Sequence, residues 1–235
     1  MICVGVLLLL GIGICAIVLI SAKDDMVEQT LALRWSEEKD YAQNSIFFDP
    51  SLKLTDKDME ALRHSIEDGY KSKSTPASFS TAEKQGELFD TYSAFAPLTF
   101  TREKNSLTVD AIGVGGDFFL FHPVYLKNGN YFKEDDLMQD YILLDEETAW
   151  ALFGSSDVVG MKVECSGKDF CVGGVYVREQ GELETLAAGN AEPRVFISYE
   201  AMKELSLDTP VTCYELLGLN PIPHFSYSVL NDLHQ

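Results

Sequence analysis

YILLDEETAWALFGSSDVVGMKVECSGKDFCVGGVYV, residues 141–177, decides the fold class. Tyr141 to Leu144 reads as a short buried strand, and Asp145 is placed to cap the helix EETAWALF that Gly154 then ends. Val158 to Val177 reads as a strand, a turn over Ser166-Gly167 and a returning strand, FCVGGVYV. A strand feeding a helix and then an antiparallel hairpin is not regular βαβ alternation. It predicts an α+β fold rather than a doubly wound sheet.

The flanks extend this pattern. Downstream, RVFISYEAMKELS reads as a second strand-to-helix unit with Ser198 as its cap, VTCYELLGL as a last strand and FSYSVLNDLHQ as a terminal helix. Upstream, Asn128-Gly129-Asn130 predicts a tight turn, and Gly115-Gly116 a break before the apolar DFFLFHPVYL. Leu88 to Val114 reads as a hairpin turning around Glu103 to Ser106. KSKSTPASFSTAEKQGE, residues 71–87, is a polar connection and the expected seam between two lobes, with the second lobe over roughly 88–180. Before it, Thr55 and Asp58 frame a helix start ahead of Met59, Leu62, Ile66 and Tyr70. Tyr41 to Phe48 reads as a strand closed by Asp49-Pro50.

Ile2 to Ala22 carries no charged residue over a length that crosses the roughly 30 Å hydrocarbon layer, so residues 1–22 are expected to form a transmembrane helix in the lipid bilayer. A cleavable signal peptide is the rival, but its apolar core is about 7 to 15 residues and follows a basic segment. Residues 23–40 are expected to continue as an amphipathic helical stalk, and 41–235 to form the domain.

All 18 Lys and Arg and all 37 Asp and Glu follow that run, so the net charge of −19 belongs wholly to residues 23–235. Such a surface repels phosphate and argues against nucleic-acid binding and against lying flat on anionic lipid. Fourteen Phe and ten Tyr argue for a packed fold.

Signals for chemistry are weak. G-x-S-x-G, H-E-x-x-H, a phosphate loop and C-x-x-C are absent. Gly113-Val114-Gly115-Gly116 lacks dinucleotide spacing, and Ser36 to Lys39 fits S-x-x-K without its usual companions. His64, His122, His224 and His234 are scattered, and the carboxylates at 134–136 and 145–147 lack calcium-loop spacing, so helix capping explains them better. Of five cysteines, Cys3 and Cys15 lie in the apolar run. Cys165 and Cys171 flank a turn: a three-residue loop over Gly167 to Asp169 would set them opposite each other, whereas a Ser166-Gly167 turn, the preferred reading, puts them on opposite faces. No catalytic, cofactor-binding or metal residue is expected, and the chain is expected not to be an enzyme.

The landmarks in their order resemble the extracytoplasmic core of MacB/FtsX-type ABC transporter permeases. They are Asp117-Phe118-Phe119, Gly129-Asn130-Tyr131-Phe132 with Asp135 or Asp136, Leu152-Phe153-Gly154, Val159-Gly160-Met161-Lys162-Val163, and Val172-Gly173-Gly174-Val175. An N-terminal helix running outward, as at Ile2 to Trp35, also looks like the family layout. The resemblance implies a single-pass protein of the cell membrane as given, with its C-terminal domain extracytoplasmic. It also implies a separate ABC ATPase subunit as partner, pairing of permeases as a homodimer or heterodimer, and transmission of ATP-driven motion to an outer partner or substrate, with rigid-body movement about residues 71–87 as the means. Family permeases have three further spanning helices, whereas the sequence given stops at Gln235, so a fragment of a longer product or a split permease is expected. Two rivals remain: an anchored sensor or ligand-binding domain, and an anchored hydrolase with a convergent nucleophile and base.

Overall fold

Strands β2 (Phe89–Arg102) and β3 (Asn105–Gly116) form the longest hairpin, joined at Glu103-Lys104 with Glu103 at φ 53°. Ala94, Ala96, Leu98 and Phe100 are buried at every second position of β2, while Phe95 and Thr99 between them are exposed. That period of two sets one apolar face of the hairpin against the core. The structure, a computed structural model, describes residues 30–36, 40–73, 88–133, 139–178, 194–205 and 208–232.

The other strands are β1 (Tyr41–Phe47), β4 (Tyr125–Gly129), β5 (Tyr141–Asp145), β6 (Lys162–Cys165), β7 (Lys168–Val177), β8 (Arg194–Ser198) and β9 (Val211–Leu219). The sheet runs β1-β9-β2-β3-β8-β5-β7-β4, and β6 pairs with both β7 and β2. The first half of β2 pairs with β9 over Phe89 to Ala94, and its second half with β6 at Phe100 and Thr101. Because β6 returns to β2, the strands β2, β3, β8, β5, β7 and β6 close into a ring. Phe100, Val109, Val195, Ile142, Val172 and Val163, one from each of these strands, belong to a single buried cluster, so that face is the inside of the ring. Closure removes the free edges that six open strands would otherwise present.

Among the described residues six α-helices complete the architecture: α1 (Leu31–Trp35), α2 (Asp56–Lys73), α3 (Phe118–Phe121), α4 (Glu146–Phe153), α5 (Tyr199–Glu204) and α6 (Phe225–Asp232). Helix α4 adds Ala149 and Leu152 to the ring's core, and α2 and α6 bring Met59, Ile66, Tyr70, Phe225 and Val229 to the same cluster. The outer face of the ring carries a second cluster, where Val114, Leu143, Tyr176 and Phe196 meet Phe118 and Phe132.

The α+β class expected from residues 141–177 is found, and so are the capping residues. The Thr55 N–H donates to Asp58 Oδ2 (2.7 Å), Thr148 N–H to Asp145 Oδ1 (2.6 Å) and Ala201 N–H to Ser198 Oγ (3.1 Å); Gly154 closes α4 in the left-handed region at φ 71°. The β6–β7 turn has two residues, Ser166 (φ 52°) and Gly167 (φ 82°), pairing Cys165 with Lys168 and Cys171 with Lys162. All three cysteines outside the apolar run are free, Cys165 buried and Cys171 partly exposed.

Several expectations are corrected. Asn128 and Gly129 belong to strand β4 rather than to a turn, with a bulge between Leu126 and Asn128. Gly129 sits at φ 87° so close to β7 that a Cβ would lie 2.2 Å from Gly173 O, so glycine there serves strand contact. The break expected at Gly115-Gly116 is found: β3 ends at Gly116, whose φ is 67°. Of the expected seam at 71–87, residues 74–87 lie outside the described residues; α2 continues to Lys73, and β1 joins the sheet beside β2 through β9. The stalk is helical over Leu31–Trp35 and turns extended at Ser36 (φ −141°, ψ 123°), while 23–29 and 37–39 lie outside the described residues. Residues 1–22 lie outside them too, and no described helix is long and apolar enough to cross a membrane.

Candidate functional site

A cleft of about 220 Å³ opens where β3 ends and α3, α5 and α2 begin. Its walls are aromatic. Phe118 and Phe119 come from α3, Phe132 follows β4, and Tyr92 and Tyr199 meet edge-on at 5.5 Å. The positive φ of Gly116 (67°) turns the chain out of β3 into α3, and a Cβ there would lie 2.4 Å from Asp90 O. That turn is what brings Phe118 and Phe119 onto the outer face of the ring. Phe119 stands edge-on to Phe132 (5.3 Å) and Phe196 (5.6 Å), so the wall is held by ring contacts. Asp56 and Glu200 form the acidic rim. Lys203 Nζ lies 2.8 Å from each of their carboxylates, and hydrogen bonds to both raise its pKa.

Two polar struts brace the sheet beside the cleft. In the first, Asp90 accepts from Arg63 of α2 and, at 2.9 Å, from the Tyr214 hydroxyl of β9; burial, with Asp90 beside it, pushes that phenol well up. In the second, Glu215 of β9 takes His122 Nε2 on one oxygen and the Ser45 hydroxyl (2.8 Å) on the other, with Gln43 Nε2 at 3.5 Å. Burial alone would raise the Glu215 pKa, but the hydrogen bonds and the charge of His122 outweigh it and hold the carboxyl below its ordinary 4.5.

That depression has a sign. Glu215 stabilises the fold above the pKa it has in the unfolded chain, and the contribution is lost as pH falls through the lower, folded value. Urea midpoints of the wild type should therefore fall below about pH 4.5 more steeply than those of Glu215→Gln, with the gap between them narrowing toward acid. Parallel midpoint curves would refute this.

The chemistry these groups can perform is limited by their connectivity. Ser45, Glu215 and His122 are one cluster, but the carboxylate sits between the hydroxyl and the imidazole. Nucleophile activation needs the imidazole in the middle. Cys213 lies beside Glu215, and burial together with that charge pushes its thiol up to about 12, far from a reactive thiolate. Among the described residues the histidines lie on different elements: His64 on α2, beside Glu67, His122 just after α3, and His224, at φ 67°, just before α6. Of the acidic run at 145–147, Asp145 caps α4, Glu146 pairs with Lys127 and Glu147 with Arg178. Among the described residues no group of three His, Cys, Asp or Glu side chains could hold a metal ion. The carboxylates at 134–136, Glu37 to Lys39 and His234 lie outside the described residues.

The sequence profile of the MacB-like periplasmic core domain matches residues 4–217. The chain belongs to that family. In this MacB-like domain the family landmarks fall on structural junctions: Asp117-Phe118-Phe119 at the start of α3, Leu152-Phe153-Gly154 at the end of α4, and Val159 to Val163 at the entry to β6. Among solved structures, the extracellular domain of the noncanonic ABC-type transporter YknZ from Gram-positive bacteria is similar at a TM-score of 0.51 and 14% identity, over 81% of this chain and 95% of that one. The periplasmic region of MacB from Actinobacillus actinomycetemcomitans gives a TM-score of 0.48 at 18% identity, over 65% and 71%. Comparison with curated protein sequences gives no match. The aromatic cleft was not foreseen from sequence, although DFFLFHPVYL, an aromatic run too short to span a membrane, was its visible signal.

Proposed function

We propose that this chain is the extracytoplasmic domain of an ABC transporter permease subunit, coupling motion driven by a separate ATPase to an outer partner or substrate. The observation that carries the reading is the match of the MacB-like periplasmic core domain to residues 4–217. Its mechanical part rests on the closed ring, because six strands joined in a circle around a shared buried cluster move as a body rather than strand by strand. The N-terminal side is tied to that body: Leu31 is buried, Arg34 Nη2 reaches Leu120 O (3.4 Å) and the Trp35 ring lies 4.5 Å from Phe89. A displacement of the segment before Leu31 would thus reach the sheet through α1. The working unit on this reading is a pair of permeases in the cell membrane, held by the apolar run at 2–22, and the role is mechanical, not catalytic.

Mild crosslinking in intact cells, followed by purification of the full gene product from membranes, tests the proposal. An ABC ATPase subunit should be recovered with it in stoichiometric amount. Recovery without any ATPase, with the same yield in the presence and absence of ATP, would leave the stand-alone sensor as the better reading.

A further inference from the structure

Helix α3 is a single turn, and one imidazole fastens its C-terminal end. The His122 ring stacks on Phe118, with centroids 4.6 Å apart at 27°, and its Nε2 meets a carboxylate oxygen of Glu215 on β9. At the other end Asp117 gives α3 no side-chain cap, and four residues are too few for a helix to hold itself. Phe121, fully buried, roots the turn in the core. Around that root, Leu120 O accepts from Arg34 of α1, and Phe118 and Phe119 line the cleft. Glu215 is nearly buried, and Ser45 and Gln43 offer it only neutral donors. An imidazolium therefore gives this carboxylate a counter-charge, whereas a neutral ring leaves a buried anion held by dipoles.

We infer that His122 is a pH-operated latch: as imidazolium it fastens α3 to Glu215, and on losing its proton it frees the Leu120–His122 end of the turn, slackening the α1 contact and the Phe118 side of the cleft together. Around the imidazole, β9 brings Glu215 and Cys213, α1 brings Arg34, β2 brings Asp90 and Asp117 heads α3, while β1 brings the neutral Gln43 and Ser45. Asp90 is engaged by Arg63 and Tyr214, and the Cys213 thiol is pushed up to about 12. Carboxylates and guanidinium keep their charge near neutrality, so the imidazole is the member of this set that titrates there. The hold is complete while His122 is charged and Glu215 ionised, and it is lost as pH rises through the value the imidazole has in the folded chain. On the acid side it persists below the ordinary 4.5 of a glutamate, because Glu215 is held lower. The latch does not depend on the permease reading: an ATPase partner recovered with a chain whose α1 ignores pH sinks only the latch.

The test uses the full chain in lipid nanodiscs. The chain has two tryptophans, and Trp150 is exposed, so Trp150→Phe leaves Trp35 of α1 as the single reporter, against Phe89. Acrylamide quenching of Trp35 and the imidazole Cε1–H resonances are followed between about pH 5 and pH 9. The quenching constant should rise roughly twofold toward alkali, with the midpoint of the His122 resonance. Amide exchange at Leu120 to His122 should accelerate roughly tenfold beyond its intrinsic base catalysis, while the β5 amides keep pace with theirs. His122→Gln keeps a donor but cannot change charge, and Glu215→Gln removes the anion, so either should abolish the pH response. If neither variant folds, the wild-type coincidence of the two midpoints decides. A His122 that titrates without any change at Trp35, a His122 that does not titrate in this range, or a response that survives in folded His122→Gln would each overturn the inference.

Discussion

Phe100→Ala is expected to lower the free energy of unfolding by about 4 kcal/mol. Phe100 is fully buried and stands edge-on to Phe170, with ring centroids 6.1 Å apart at 76°. It is also one of the two β2 residues that pair with β6, opposite Cys165. Truncation removes a large apolar side chain and leaves a cavity inside a ring whose strands cannot collapse independently, which places the cost in the upper part of the range for core truncations. Closure makes the effect local as well as global. Hydrogen exchange at the β6 amides should accelerate more than at β9, because β9 pairs with the other half of β2. Phe100→Leu should recover most of the loss. A deficit below about 1 kcal/mol in urea unfolding of Phe100→Ala would mean that the ring is not packed as described.

The sequence made the local half of this architecture legible. Thr55 with Asp58, Asp145, Ser198 and Gly154 announce helix ends because a cap acts within about four residues of itself. The Ser166-Gly167 turn was readable for the same reason, and it fixed which faces Cys165 and Cys171 take. Closure of the ring was not readable, since it depends on Phe100 meeting Cys165 and on β3 running parallel to β8, pairings between distant segments that no residue declares. Gly129 misled because a glycine needed for close strand approach looks, in sequence, like one needed for a turn. The polar struts were hidden as well: Arg63, Asp90 and Tyr214 converge from α2, β2 and β9, and only the isolated charge in FDTYSAF hinted that one carboxylate would be buried. The cleft's rim had a partial signal in the cap at Asp56 to Asp58, but its aromatic wall required the turn at Gly116.

Asp145→Ala is expected to cost as much as the core truncation, about 4 kcal/mol, and through a different mechanism. The Asp145 side chain is the fully buried hinge between β5 and α4, and each of its oxygens has work in a different element. Oδ1 accepts the Thr148 N–H at 2.6 Å and so caps α4. Oδ2 accepts the Arg194 N–H at 2.8 Å from the start of β8 and lies 3.3 Å from Arg178 Nε at the end of β7. Alanine would leave a buried helix amide and the β8 amide without acceptors, and would take from Arg178 its buried carboxylate partner while the exposed Glu147 stays. Loss of a cap alone costs about 1 kcal/mol, so a deficit near that value would show that water replaces the other two contacts. Asp145→Asn separates these terms, because its carbonyl can keep the cap while its amide can only oppose the Arg194 N–H with a second donor. The asparagine variant should therefore recover no more than about the capping share, with exchange at Thr148 kept slow and exchange at Arg194 made fast. Recovery to wild-type stability would show that the charge on Asp145, and with it the junction of β5, β7 and β8 that the ring closes around, is dispensable.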